Sequence, residues 1–299
     1  MTPLPTPSLA GPGPSPAKPS AADAPVPTEL STTRLEVDGV AVLVEGGPGP
    51  VVLMLHGWPD TAALWDGTVA SLRPHHRCVR LTLPGFDPDQ APRAASLDQI
   101  MALLDRVLAR VSPDRPVTLL LHDWGCVFGY ELAARHPERI ERVVGIDIGD
   151  HNARALQQEL GLRAKALVLG YQWWLALAWL VGRHLHQGLA NRMTRAMAAA
   201  LRCPAPPARI VWGMNHPYAM RWFGVTGGLR TRKVRPAHPW LFVYGRRKPF
   251  MFHTRDWAAR LAEQPGCRVQ GFQAGHWVML DQAAAFHELL QDWLAGGPR

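Results

Sequence analysis

Three short, largely apolar runs set the tightest limit on the fold: the continuous VVLML at residues 51–55, VTLLL at 117–121 and WLFVY at 240–244. A strand with one face in water alternates apolar and polar residues, whereas an almost wholly apolar run must be covered on both faces. Weaker strand signals lie at Arg34–Val37, Val40–Glu45, Cys78–Leu83, Arg142–Ile148 and Arg268–Phe272. Helical spacing recurs between them. Ser96 is placed to cap a helix over Leu97–Val111, with Ile100, Leu103, Leu104, Val107 and Leu108 on one face. A second helix runs from Trp124 to about Arg135 and stops before Pro137, and others lie near Thr254–Glu263 and Gln282–Leu294. Apolar strands alternating with helices predict an α/β protein with a doubly wound, mostly parallel sheet.

That rhythm fails between about Asp150 and Arg235, a helical stretch holding Trp173, Trp174, Trp179, Trp212 and Trp222. The reading is a helical lid over 151–235, inserted into a core made of 31–150 and 236–299. Within the lid, Ala166–Gly182 is 17 residues of nearly continuous apolar sequence, interrupted by Gln172. This is marginal for a bilayer span, so a buried lid helix and no stable membrane span are expected. Residues 1–30 contain nine Pro and too little apolar surface to offset ordering entropy, which predicts a disordered tail.

The charge of +8 comes mostly from Arg, since the chain has only Lys18, Lys165, Lys233 and Lys248. The Arg residues are spread along the chain, so no nucleic-acid partner is expected. Cys78, Cys126, Cys203 and Cys267 lack CxxC spacing, which argues against a disulfide framework or zinc site. The N-terminus lacks a basic region followed by an apolar core, and a cytoplasmic location is expected.

Three motifs carry chemistry. In VTLLLHDWGC (117–126) a buried strand runs into a sharp turn and a helix. Such a turn lifts one side chain, Asp123, out of the sheet. A carboxylate there attacks a carbon electrophile to form an ester that water hydrolyses. In LHGWPD (55–60) the bend presents the Trp58 N–H, which with the Trp124 N–H forms an oxyanion hole, and Trp58–Pro59 is a candidate cis bond. In GHW (275–277), His276 follows the last core strand, where a general base for water belongs.

Together the motifs resemble the α/β-hydrolase superfamily, and HGWP with HDWG resembles its epoxide hydrolase and haloalkane dehalogenase branch over residues 31–299. The resemblance implies the α/β-hydrolase fold, Asp123 as alkylating nucleophile, His276 as base, no metal and no cofactor. It also implies two lid tyrosines that donate to an epoxide oxygen, and Tyr171 and Tyr218 match them. A dehalogenase would instead surround a halide with indole N–H groups, from Trp124 with Trp58, Trp173 or Trp174.

The pattern departs at three places. Leu121 stands where the family elbow has a small residue, Cys126 where Gly or Ala is common, and Lys248 where an acid usually orients the catalytic His. Some members place that acid after the preceding strand, and in RVVGIDIGD (142–150) Asp150 matches best, with Asp147 the fallback. The expected function is therefore an epoxide hydrolase-like enzyme acting on a small apolar substrate. A haloalkane dehalogenase and a non-catalytic ligand-binding member of the fold are the alternatives. Oligomeric state and substrate identity are left open by the sequence.

Overall fold

The computed structural model describes residues 31–296. The expected N-terminal tail lies outside them. Eight strands form one sheet in the order β1-β2-β4-β3-β5-β6-β7-β8. They are β1 (Thr32–Val37), β2 (Val40–Glu45), β3 (Val51–Leu55), β4 (Arg77–Leu81), β5 (Val117–His122), β6 (Ile140–Ile146), β7 (Trp240–Gly245) and β8 (Arg268–Phe272). The β1–β2 and β2–β4 pairs are antiparallel, and every later pair is parallel. Every residue of β3 and β5 is buried, as expected of the unbroken apolar run in β3 and the mostly apolar one in β5, where Thr118 and His122 are covered as well.

Helices α1 (Asp66–Leu72), α2 (Leu97–Val111), α3 (Trp124–Arg135), α8 (Arg255–Ala262), α9 (Val278–Asp281) and α10 (Ala283–Ala295) accompany the sheet. One core layer joins α2 and α3 to the sheet through Leu104, Val107 and Phe128; the other packs α1 and α10 against it through Val69 and Phe286. Ser96 caps α2 as expected: its Oγ accepts from the Gln99 N–H while the Gln99 side chain accepts from the Ser96 N–H. Two strand ends are corrected. The strand expected at Cys78–Leu83 stops at Leu81, and the one expected to reach Ile148 stops at Ile146. In both cases one apolar residue beyond the ladder, Leu83 after Thr82 and Ile148 after Asp147, stays buried because other elements cover it.

Between β6 and β7 lie α4 (Arg154–Glu159), α5 (Leu162–His184), α6 (Gln187–Ala200) and α7 (His216–Phe223). The expectation of a buried helix is corrected for α5. Its inner face, including Gln172, Leu175 and Trp179, is covered, but Leu169, Trp173, Trp174 and Leu177 are each more than 40% exposed. Composition alone did not separate the two faces, since α5 is apolar all round.

Candidate active site

In this sheet the strands β3, β5, β6, β7 and β8 run parallel, so the residues just past their C-terminal ends gather at one edge. That is where open α/β sheets place their ligands. Past β3 come His56, Gly57 and Trp58; past β5, Asp123; past β6, Asp147; past β7, Lys248; past β8, His276.

Asp123 occupies the turn between β5 and α3 with φ 52° and ψ −120°. A non-glycine residue held at positive φ is strained, and the neighbours that hold it there are visible. At Gly57 a Cβ would strike the Asp123 carboxylate and the Trp124 amide; at Gly125 it would strike the Leu55 carbonyl. The two glycines let β3 and the start of α3 close around the aspartate. The Trp58–Pro59 peptide is cis. The Trp58 N–H donates to Asp123 Oδ1 at 2.7 Å. The Trp124 N–H, beside Gly57, starts α3 at the same point.

The bulk of Leu121 in the elbow is accommodated from the opposite side. At Gly129 on α3 a Cβ would collide with the Leu121 methyls, so this glycine supplies the missing space. Cys126 is fully buried, with its thiol on the Ile146 carbonyl at 3.5 Å, and burial pushes its pKa up to about 12. It is a packing residue without thiolate character.

His276 bridges two carboxylates. Its Nε2 lies 3.4 Å from Asp123 Oδ2, and its Nδ1 bonds Asp147 Oδ2. The acid in contact with the imidazole is thus Asp147. This corrects the choice of Asp150, whose two oxygens accept from the Thr254 N–H at 2.7 Å and the Thr254 hydroxyl at 2.8 Å at the start of α8. Asp147 leaves the sheet directly after β6, at φ 74°, and turns back toward β8; Asp150, three residues on, faces the Thr254 cap instead. Lys248 completes the arrangement. Its ammonium pairs with Asp147 Oδ1, which also accepts the Gly245 N–H at 3.1 Å. The lysine at the usual acid position is therefore the counter-ion of the acid supplied from β6.

The charges follow from this geometry. Burial opposes ionisation of Asp147, but Lys248 and His276 hold its carboxyl far below the usual range. Burial likewise opposes the charge on Asp123, and His276 with the Trp58 N–H brings its pKa below normal. For His276 burial disfavours the imidazolium, yet Asp147 and Asp123 outweigh it and raise its pKa to about 9. The resting site is a row of alternating charges: carboxylate, imidazolium, carboxylate, ammonium.

Sequence reasoning passed over three supporting residues. His122, beside Asp123 in the chain, is buried with its pKa lowered to about 3, and its Nε2 pairs with the His276 carbonyl at 3.1 Å. His56 accepts the Leu83 N–H on Nε2 at 3.0 Å and pins the loop after β3. Asp60 accepts the Trp277 indole N–H at 2.8 Å, tying HGWPD to GHW, and burial raises its pKa to about 7. Their signal was position inside the motifs, but only the fold pairs them.

A cavity of about 470 Å³ opens above Asp123. Trp124, Val127, Ile148, Val168 and Phe252 make its wall largely apolar, and Tyr171 and Tyr218 line it as well. The two phenol rings meet edge-on at 6.1 Å, and Tyr218 also packs edge-on against Trp124 at 5.1 Å. Gln172 accepts the Trp222 indole N–H at 3.0 Å and donates to the Tyr171 hydroxyl oxygen at 3.1 Å. That second bond occupies an acceptor position and leaves the Tyr171 hydrogen available to a ligand. Asn215, just before α7, accepts from the Trp58 indole at 2.8 Å and donates to Thr194 on α6 at 2.7 Å. These buried bonds set the position of Tyr218 three residues later.

A family model described as alpha/beta hydrolase fold matches residues 50–188. The crystal structure of Bacillus megaterium epoxide hydrolase superposes with a TM-score of 0.66, covering 88% of this chain and 100% of that one at 17% identity. This chain has the α/β-hydrolase fold. Among curated sequences, the "probable oxidoreductase EphD" of Mycobacterium tuberculosis is 36% identical over 125 residues, 40% of this chain and 21% of that protein. A cis-3-alkyl-4-alkyloxetan-2-one decarboxylase of Xanthomonas campestris is 36% identical over 124 residues, 37% of this chain and 41% of that protein. The matched stretches thus span well under half of either relative.

Proposed function

We propose that the protein hydrolyses a small apolar epoxide through an ester on Asp123. The observation that carries this reading is the pairing of a strained, Trp58-bound carboxylate with His276 beneath two cavity-lining tyrosines. Asp123 Oδ2 attacks a ring carbon, the carbon–oxygen bond breaks, and a tyrosine hydroxyl protonates the departing oxygen. Ester formation removes one of the two negative charges that hold the proton on His276. The imidazole pKa then falls, its proton passes through solvent to the tyrosinate left by ring opening, and the neutral imidazole takes a proton from water as that water attacks the Asp123 carbonyl carbon. The Trp58 and Trp124 N–H groups receive the oxyanion at Oδ1; its collapse breaks the ester carbon–oxygen bond, the departing alkoxide takes the proton from His276 to give the diol, and the Asp123 carboxyl proton returns to the imidazole. Asp147 holds the imidazole by Nδ1 throughout.

The dehalogenase alternative needs indole N–H groups free to hold a halide. The Trp58 indole donates to Asn215 and the Trp174 indole to the Met193 carbonyl at 2.9 Å, so two of the candidates are already engaged. The epoxide reading is favoured for that reason. The four cysteines are free, which suits a reducing cytoplasm.

The test is intact mass of His276→Gln after incubation with a mixture of apolar epoxides, haloalkanes and alkyl oxetanones. Retention of an epoxide-derived adduct on the Asp123 peptide supports the proposal. An adduct from a haloalkane or oxetanone alone moves the chemistry elsewhere, and no adduct with wild-type turnover rejects the nucleophile.

A further inference from the structure

The lid carries a surface that the reaction does not use. On α5, Leu162, Leu169, Trp173 and Leu177 follow one another at helical spacing along its exposed side, and Trp174 borders them. They are 86%, 47%, 46%, 46% and 41% exposed in chain order with Trp174 last. Leu185, in the turn to α6, is 80% exposed, and Leu189 on α6 is 46% exposed. The Trp174 bond to the Met193 carbonyl joins the outer sides of α5 and α6 into one patch. Among the described residues, α5 is also the one helix long and apolar enough to cross a bilayer. It does not stand free to do so, because its other side packs against α6 and α7 and buries Gln172.

Charge decides what covers this patch. Residues 151–235 carry thirteen Lys and Arg against one acidic residue, Glu159, while the whole chain has 32 against 24. The remainder of the chain is therefore slightly acidic, and the excess of positive charge sits in the lid. Among the described residues, only Arg209 of those thirteen has an ion-pair partner, Asp89. Arg163 and Arg183 near the ends of α5 and Arg192 on α6 are exposed and unpaired there. A second copy of such a surface would meet it with like charge. A polyanion such as nucleic acid would leave the leucines in water. Exposed Leu and Trp rimmed by Arg is the composition that lies in the plane of an anionic membrane, with its apolar side chains below the phosphates and its cations among them.

We infer that the outer side of α5 and α6 docks the lid on an anionic phospholipid bilayer. The cavity reaches the same side: Lys165 and Leu169 both line it and are exposed. Docking therefore sets the cavity rim against the lipid, where an apolar substrate is concentrated.

The experiment is co-sedimentation of the full chain with phosphatidylglycerol-containing vesicles and with pure phosphatidylcholine vesicles. Binding to the anionic vesicles is expected to be tighter by about tenfold or more and to weaken with salt. Leu177→Glu with Leu185→Glu should abolish it, and Arg192→Glu should weaken it several-fold, with melting temperature unchanged. Brominated phosphatidylglycerol should quench tryptophan fluorescence of the unaltered protein, which keeps the test independent of how the variants fold. Absence of both binding and quenching overturns the inference, as does equal affinity for the two vesicle types. A dimer in sedimentation velocity that Leu177→Glu dissolves assigns the patch to a second copy. Heparin or duplex DNA binding that survives Leu177→Glu, without vesicle binding, assigns the charge to a polyanion.

Discussion

Replacing Asp147 by Asn separates the two candidates for the acid and tests the role of Lys248. Asp147 is fully buried and accepts from three groups: His276 Nδ1, the Lys248 ammonium and the Gly245 N–H. Asparagine keeps the shape and one acceptor oxygen but removes the charge between two cations. The Lys248 side chain, only 8% exposed, is left without a counter-ion, and breaking a buried pair in this way costs about 3–5 kcal/mol. The imidazole loses control of its tautomer and the stabilisation of its charged form, which in a related serine triad lowers kcat by about 10⁴. Attack by Asp123 needs neither effect, so Asp147→Asn should still form ester and fail to hydrolyse it. Rapid-quench intact mass should show an adduct decaying about 10⁴ times more slowly than in the wild type. Adding Lys248→Met removes the orphaned charge and should recover much of the stability with none of the turnover. Asp150→Asn should cost about 1 kcal/mol through weakened bonds to Thr254 and leave turnover near normal. The reasoning is refuted if Asp150→Asn stops turnover while Asp147→Asn does not, or if Asp147→Asn forms no adduct at all.

Further outcomes follow from the same site. Tyr171→Phe and Tyr218→Phe should each lower kcat/KM on epoxides by about 10- to 100-fold, with the double variant lower still, measured by diol formation. Because the His276 pKa is raised to about 9, the ion pairs it makes stabilise the fold fully below about pH 6.5, and that stability is lost as pH rises through about 9. Melting temperature should fall over that interval, and His276→Gln should flatten the fall; a wild-type curve without it contradicts the charged resting site. Gly129→Ala, which drives a methyl into Leu121, should cost about 1–3 kcal/mol in urea unfolding, and Leu121→Ala in the same chain should recover part of it.

The strand runs at 51–55, 117–121 and 240–244 were legible because burial on both faces leaves almost no polar position in the sequence, Thr118 being the exception. Asp123, Trp58 and His276 were legible because each stands at a strand end with the turn residues its geometry requires, and those turns are local. The partner of His276 was not. Asp147 and Asp150 follow the same strand three residues apart, and nothing local distinguishes them. Their roles depend on where β7 and β8 bring Lys248, Thr254 and His276, about a hundred residues away in the chain. The space for Leu121 came from Gly129, one strand-to-helix turn away, and was likewise invisible as a pair. On α5, apolar residues all round the helix gave no sign of which side would be covered; packing against α6 and α7 chose it. The local turns that place these side chains were thus legible in the sequence itself, while every choice between equivalent side chains was made by contacts that exist only once the sheet has closed.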